Sequence, residues 1–260
     1  MRMAMLRTAL VGALLLGGLS LIGAGGPAGA AEEAEPIQRS WSFEGFFGTY
    51  DRSAAQRGFQ VYREVCSGCH GLQYLAFRNL EALGFTEEEV QAVAAEYQVT
   101  DGPNDEGEMF ERPAAPSDRF PPPYPNDAMA RFVNGGALPP DLSLITKARA
   151  DGTNYLYSLL QGYEEPPPGV EGLEGLYYNA YFPNHWIAMP PPLFDDQVAY
   201  ADGSSTSIEQ MAGDVAMFLS WAAEPNLEER KRTGLKVLLF LIILTGLFYA
   251  TKRKIWADAH

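Results

Sequence analysis

Cysteine is nearly absent. The chain has two in 260 residues, Cys66 and Cys69, three positions apart. A bridge between distant segments is therefore excluded, and with it a disulfide-stapled fold. Histidine is almost as scarce, with only His70, His185 and His260. Positive charge is also short: 19 Lys and Arg stand against 33 Asp and Glu, a net charge of −14. Such a surface repels phosphate, which argues against nucleic acid as a partner. A basic protein is the better match, and its encounter should be fast and salt-sensitive. No internal repeat is present, and no strand alternation extends beyond short stretches.

What is there begins with the two ends. Arg2 and Arg7 precede an apolar run from Ala9 to Ile22, and Ala28-Gly29-Ala30 follows as a small-residue cleavage site. Residues 1–30 are predicted to be a secretory signal peptide of bacterial type, the alternative being an uncleaved anchor. Loss of Arg2 and Arg7 lowers the 19 basic residues to 17 against 33 acidic ones, a net −16. At the other end, Thr233 to Thr251 is almost purely apolar apart from Lys236 and Thr245. At about 1.5 Å per residue it nearly crosses a hydrocarbon core of about 30 Å. Basic residues flank both sides of it, so charge does not set the orientation. The signal peptide does, and it divides the chain into an exported domain (31–229), a transmembrane anchor (230–252) and a cytoplasmic tail (253–260).

The exported part reads as mainly helical. Ala31 to Ser40 is polar and reads as loose, and an aromatic stretch follows: Trp41, Phe43, Phe46, Phe47 and Tyr50. Asp51 or Ser53 is expected to cap a helix towards Val65, with Gly58, Phe59, Tyr62 and Val65 on one face. Further helices are predicted over Leu75–Leu83, over Thr86–Tyr97 with a Thr86/Glu89 capping box, from Asn126 or Asp127 to Val133, and over Asp141–Ala148 and Thr153–Gln161. Ser207 opens the best one, boxed by Gln210, with Ile208, Met211, Ala212, Val215, Phe218, Leu219 and Ala222 on its core face. Pro225 stops it. Between Thr100 and Pro125, and again between Glu164 and Pro192, prolines exclude long regular elements. Long loops of this kind are consistent with wrapping a large rigid cofactor.

One motif explains the two cysteines. Cys66-Ser67-Gly68-Cys69-His70 has the C-x-x-C-H form that attaches a c-type haem. Two thiols at this spacing reach the two vinyl groups of one porphyrin, and the adjacent imidazole reaches the iron. A zinc site would need four ligands, and after these three only His185 and His260 remain as usual donors. A thiol–disulfide motif would expect a βαβ context, for which the pattern gives no support. The sixth iron position separates a carrier from an enzyme, since a Met thioether raises the potential and blocks small ligands. Met109, Met129, Met189, Met211 and Met217 are candidates. Met211 and Met217 fall on the core face of a helix. Met189 lies in Ile187-Ala188-Met189-Pro190-Pro191-Pro192, where prolines stiffen an extended loop. His185 is its rival and would give a bis-histidine haem of lower potential.

Longer segments carry a resemblance. They are Val65–His70 with Tyr74–Leu80, Gly102-Pro103-Asn104, Gly107–Phe110 with Arg112-Pro113, Pro123–Asn126, Asn134–Ser143, Gly175–Tyr177, Tyr181–Pro183, Ala188–Pro191 and Phe218–Pro225. On these the chain resembles the cytochrome c1 family, the haem-carrying subunit of the cytochrome bc1 complex (ubiquinol–cytochrome c oxidoreductase), over nearly its whole length after residue 30. The resemblance implies a class I-like, mainly α cytochrome c domain with long loop insertions on one C-terminal transmembrane helix. It implies one covalently bound haem c held by Cys66, Cys69 and His70, with Met189 as sixth ligand. It places Arg131 near a haem propionate, and the backbone around Pro139 and Pro140 at the His70 ring. It implies an electron relay from the Rieske iron–sulfur protein to a cytochrome c, beside cytochrome b in a dimeric complex. Catalysis would then belong to the assembly, and the site would lie at the bacterial inner membrane with the haem domain periplasmic. Clusters at Glu164-Glu165, Glu171 with Glu174, and Asp195-Asp196 are equal candidates for docking the acceptor. Two competitors are a membrane-anchored cytochrome c serving an oxidase or reaction centre, and a haem enzyme or gas sensor with an open sixth position.

Overall fold

The computed structural model describes residues 34–257. The predicted signal segment and His260 lie outside them.

Helix α1 (Arg52–Val61) starts where Asp51 accepts the amide of Ala54 at 3.0 Å, and it passes directly into a wider π turn, Tyr62–Cys66. A 3-10 helix, Phe77–Leu83, stands where an α-helix from Leu75 was expected. It ends at Gly84, whose φ of +100° suits a residue without Cβ. Helix α2 (Glu87–Ala95) carries the predicted box: Thr86 and Glu89 cap each other's backbone. Then come β1 (Gln98–Asp101) and β2 (Phe110–Pro113), α3 (Asp127–Val133), α4 (Gly152–Gln161), β3 (Tyr177–Tyr178) and β4 (Trp186–Ile187), α5 (Ile208–Ala223) and α6 (Leu227–Ile255). β1 pairs antiparallel with β2, and β3 with β4. At two to four residues, with no face consistently buried, neither hairpin writes a two-residue period into the sequence.

The core is the crossing of α1 and α5. Gly58 sits at the crossing, where a Cβ would lie 1.9 Å from the Asp214 carbonyl oxygen. The backbones therefore approach as only glycine allows. Phe59, Tyr62, Phe77, Phe120 and Phe218 interlock around it, with Phe77 and Phe120 ring centres 4.1 Å apart. Within this apolar packing Asp214 is buried and takes a bidentate bond from Arg57, 2.9 and 3.0 Å, while Arg57 also reaches Asp202 at 3.0 Å. Met211 and Met217 are core residues, as their helical phase predicts.

Three expectations need correction. Asp141–Ala148 is not a helix but a run of turns, because the Asp141 carboxylate accepts the amide of Ser143 at 2.9 Å and starts an Asx turn instead. The end of the polar 31–40 stretch is pinned: the Ile37 amide donates to Ser158 at 2.7 Å, and the Arg39 guanidinium lies over the rings of Trp41 and Tyr157. The Ser207 box is half made. Ser207 accepts the Gln210 amide at 3.3 Å, but the Gln210 side chain turns to Asp214 at 3.0 Å.

The junction to α6 is braced. Tyr50 donates its hydroxyl to the carbonyls of Ser220 and Glu224 at the end of α5, 3.0 and 3.2 Å. Glu224 pairs with Lys147 and Arg230, and Glu228 with Arg52. Helix α6 extends three residues beyond the predicted anchor at each end. It is long and apolar enough to cross a membrane, and none of its apolar window is buried.

Candidate functional site

The C-x-x-C-H motif is a tight turn fused to the end of α1. The amides of Cys69 and His70 both donate to the Cys66 carbonyl, at 3.1 and 2.9 Å. Ser67 closes the other side, its amide donating to Tyr62 at 2.8 Å and its hydroxyl to Arg63 at 2.7 Å. Helical offsets of three and four place Cys66, Cys69 and His70 on one side of this turn.

The imidazole is aimed by the far strip of chain. His70 Nδ1 lies 2.7 Å from the Pro140 carbonyl oxygen, so its N–H donates there and the lone pair is on Nε2. Burial lowers the His70 pKa, against the Pro140 bond and the Asp141 charge, which raise it. A neutral ring with a free Nε2 is the form that binds a metal. The Pro140 carbonyl is held in turn. Asp141 accepts the Gln73 amide at 2.9 Å, Leu142 donates to Gly71 at 2.9 Å, and Ser143 accepts the Tyr74 amide at 3.1 Å. Gly71 permits this lacing, since a Cβ there would stand 2.9 Å from the Asp141 carboxylate. Tyr62, at the start of the π turn, donates to the His70 carbonyl at 2.9 Å.

Burial, with Cys69 adding, pushes the Cys66 thiol up to about 12. Cys69 is exposed, with the Tyr124 hydroxyl 3.7 Å from its sulfur. Asn134 donates to Tyr124 at 3.1 Å and to Ala130 at 2.7 Å, which ties the end of α3 to the motif. Arg131 lies on this helix, its guanidinium donating to the Gly136 carbonyl at 3.1 Å. Met129, Phe132 and Val133 of the same helix expose apolar side chains, Phe132 to 83%. Two thiols on one side of a turn, a neutral imidazole with Nε2 available and an apolar wall tied beside them fit a covalently bound porphyrin.

Met189 is half-buried in the loop after β4, its carbonyl accepting the Tyr163 hydroxyl at 3.1 Å. His185 is buried within the β3–β4 hairpin. Its ring stacks on Tyr178 at 5.3 Å and its Nδ1 lies 3.3 Å from the Asn179 carbonyl. Met109 and Met129 are exposed. Sequence reasoning did not single out Tyr62, Tyr124, Asp141, Ser143 or Tyr163. Asp141-Leu142-Ser143 carried a signal, the Asx-turn pattern. The tyrosines carried none, because none of their partners falls at a turn or helix spacing.

The model of the Cytochrome C1 family matches residues 41–259. The chain is 49% identical to Cytochrome c1 of Rhodospirillum rubrum over 95% of its length and 96% of that protein's. It is 54% identical to Cytochrome c1-2, heme protein, mitochondrial, of Solanum tuberosum, over 82% and 83% respectively. It is also 50% identical to Cytochrome b/c1 of Bradyrhizobium diazoefficiens over 96% of its length, and there it spans 39% of a longer chain.

Proposed function

The chain belongs to the cytochrome c1 family, and on that footing we propose that it relays single electrons in a ubiquinol–cytochrome c reductase through a haem c held by Cys66, Cys69, His70 and Met189. The single observation that supports the site is the 2.7 Å bond from His70 Nδ1 to Pro140, which leaves Nε2 free to ligate. Cys66 and Cys69 are the thioether positions. The bound haem supplies a one-electron iron couple, whose potential a thioether ligand raises.

The remaining work is done by the chain. Asp141 and Ser143 hold the Pro140 carbonyl, and that carbonyl holds the imidazole at one angle. Tyr163 holds the backbone of Met189, and the following prolines stiffen it. His185 is the weaker candidate for the sixth position, because its ring is buried and stacked on Tyr178 inside a hairpin. Arg131 is offered as the cation that offsets a propionate.

The electron arrives from a Rieske iron–sulfur protein and leaves to a cytochrome c, with cytochrome b as the membrane partner in a dimeric complex. Of the acidic clusters, Asp195 and Asp196 are occupied, accepting from the Ile208 amide and the Thr206 hydroxyl at 2.9 and 2.5 Å. Glu164, Glu165, Glu171 and Glu174 are exposed in one loop-rich stretch and suit a lysine-rich acceptor better. The haem domain lies on the periplasmic side, with α6 as a single-pass anchor and the residues after 252 in the cytoplasm. The test compares the parent with Met189→Leu by optical spectra, redox titration and carbon monoxide. The parent should be six-coordinate and inert to the gas. The variant should bind it and drop in potential by on the order of 0.2 V. A variant indistinguishable from the parent would remove Met189 from the iron. Copurification with cytochrome b and a Rieske protein separates this role from that of a free-standing anchored cytochrome.

A further inference from the structure

The two cysteines of the motif stand in unequal surroundings. Cys66 packs against the apolar core. Cys69 is exposed, and the Tyr124 hydroxyl donates to its sulfur across 3.7 Å, an ordinary length for so large an acceptor atom.

The direction of that bond follows from its neighbours. Asn134 Nδ2 lies 3.1 Å from the same hydroxyl oxygen and 2.7 Å from the Ala130 carbonyl. A carbonyl only accepts, so the amide atom that faces both is the nitrogen, and towards Asn134 the tyrosine oxygen is an acceptor. Its own proton is thereby left for the sulfur. Accepting on one side also makes the O–H a stronger donor on the other. The result is a directed chain from amide to hydroxyl to sulfur.

Each link is held. Tyr124 stands between Pro123 and Pro125, in a run that opens at Pro121, so its backbone has little freedom. Asn134 closes α3: its amide donates to Ala130 and its carbonyl accepts from Ala137, both at 3.1 Å. Gly135 and Gly136, at φ +60° and +94°, turn the chain away behind it. Cys69 is exposed, and Tyr124 and Asn134 are half-buried outside the aromatic core, so packing does not account for the arrangement.

We propose that Tyr124 raises the haem potential through the Cys69 thioether, with Asn134 as the positioning residue that aims the hydroxyl. This role rests on the haem c reading above and deepens it. Once a thioether, the Cys69 sulfur has no proton and can only accept. A hydrogen bond there draws electron density from one edge of the porphyrin. Reduced iron carries one positive charge fewer than oxidised iron, so a donor at that edge favours the reduced form.

The experiment uses the full chain with its haem, in its native assembly. Tyr124→Phe keeps the ring and removes the O–H. At the parent's midpoint potential its ratio of reduced to oxidised haem should be about threefold lower. The absorption band of methionine-ligated iron should persist, and the haem should stay inert to carbon monoxide. Resonance Raman spectra of the parent should show two separate thioether carbon–sulfur stretches, which the variant brings together. Asn134→Leu, which keeps the tyrosine and removes the amide that aims it, should fall between the two in potential. The double variant should match Tyr124→Phe alone, because Asn134 acts through the hydroxyl. Covalent haem with an unchanged potential in Tyr124→Phe would overturn the proposal and leave the haem reading intact. A lower potential accompanied by carbon monoxide binding would also overturn it, since Tyr124 would then be acting on the axial ligand. Additive shifts in the double variant would overturn the positioning role of Asn134. A parent whose haem is extracted by acidic acetone would have no thioethers, and both readings would fall together.

Discussion

The two sides of the domain that precedes α6 are built by different means. On one side α1 and α5 cross in contact, with Gly58 against Asp214 and five phenylalanine and tyrosine rings interlocked. On the other, residues 70–74 and 140–143 are laced by single hydrogen bonds between backbone and short side chains, and α3 leaves Phe132 bare. The first side is stabilised by excluding water from large apolar surfaces, so its strength is spread over many contacts. The second is set by a few directional bonds whose purpose is aim. Damage to the first should therefore appear as lost folding, and damage to the second as altered spectra in a folded protein.

The comparison breaks most visibly at Gly58. Its replacement by Ala forces a carbon to 1.9 Å from the Asp214 oxygen, so the helices must separate. We expect a loss of about 3 kcal/mol or more, read as a fall in thermal midpoint by circular dichroism. Asp214→Asn leaves Arg57 without its bidentate partner beneath the same crossing, and a loss of about 3 kcal/mol is expected in denaturant titration. At the site, Asp141→Ala frees the Gln73 and Ser143 amides. It should cost only about 1–2 kcal/mol, yet it should broaden the haem spectrum and shift the midpoint potential, because the Pro140 carbonyl loses its brace. A melt as damaged as that of Gly58→Ala, with an unchanged spectrum, would invert the comparison.

The smallest effect expected is one of pH, at the β1–β2 hairpin. Hydrogen bonds from Arg112, aided by the Gly102 amide, hold the Asp101 carboxyl below the usual carboxylate range, and Arg112 with the Ala115 amide does the same for Asp118. Depressed carboxyls stabilise the fold above their ordinary range and lose that contribution as pH falls through the lowered value. Amide exchange in β1 and β2 should thus quicken below about pH 4, ahead of exchange in α5. Equal onset in both would mean that the Arg112 cluster does not brace the hairpin.

The same contrast explains what could be read in advance. Helix α5 was legible because Met211, Ala212, Val215, Phe218 and Leu219 repeat with the period of a buried face, and all of them are buried. The motif residues were legible because their chemistry fixes their spacing. Asp214 gave no warning, since a carboxylate on a helix is ordinarily solvated and its partner Arg57 is 157 positions away. The segment 141–148 was misread because helix propensity is weaker than an Asp that can turn back on its own backbone. The roles of Tyr62, Tyr124 and Tyr163 depend on remote carbonyls and a thiol, and no local pattern records such contacts.

The braced joint between α5 and α6 decides how the domain is carried. A slack connector would make the anchor a leash, and the haem domain would wander over a hemisphere of positions. Here Tyr50, Lys147, Arg230 and Arg52 grip the two glutamates at the joint, so α6 acts as a mast. The height and tilt of the motif above the membrane are then set at this joint. An electron-transfer rate falls steeply with distance, so a mast assigns the travelling to the partners that come and go.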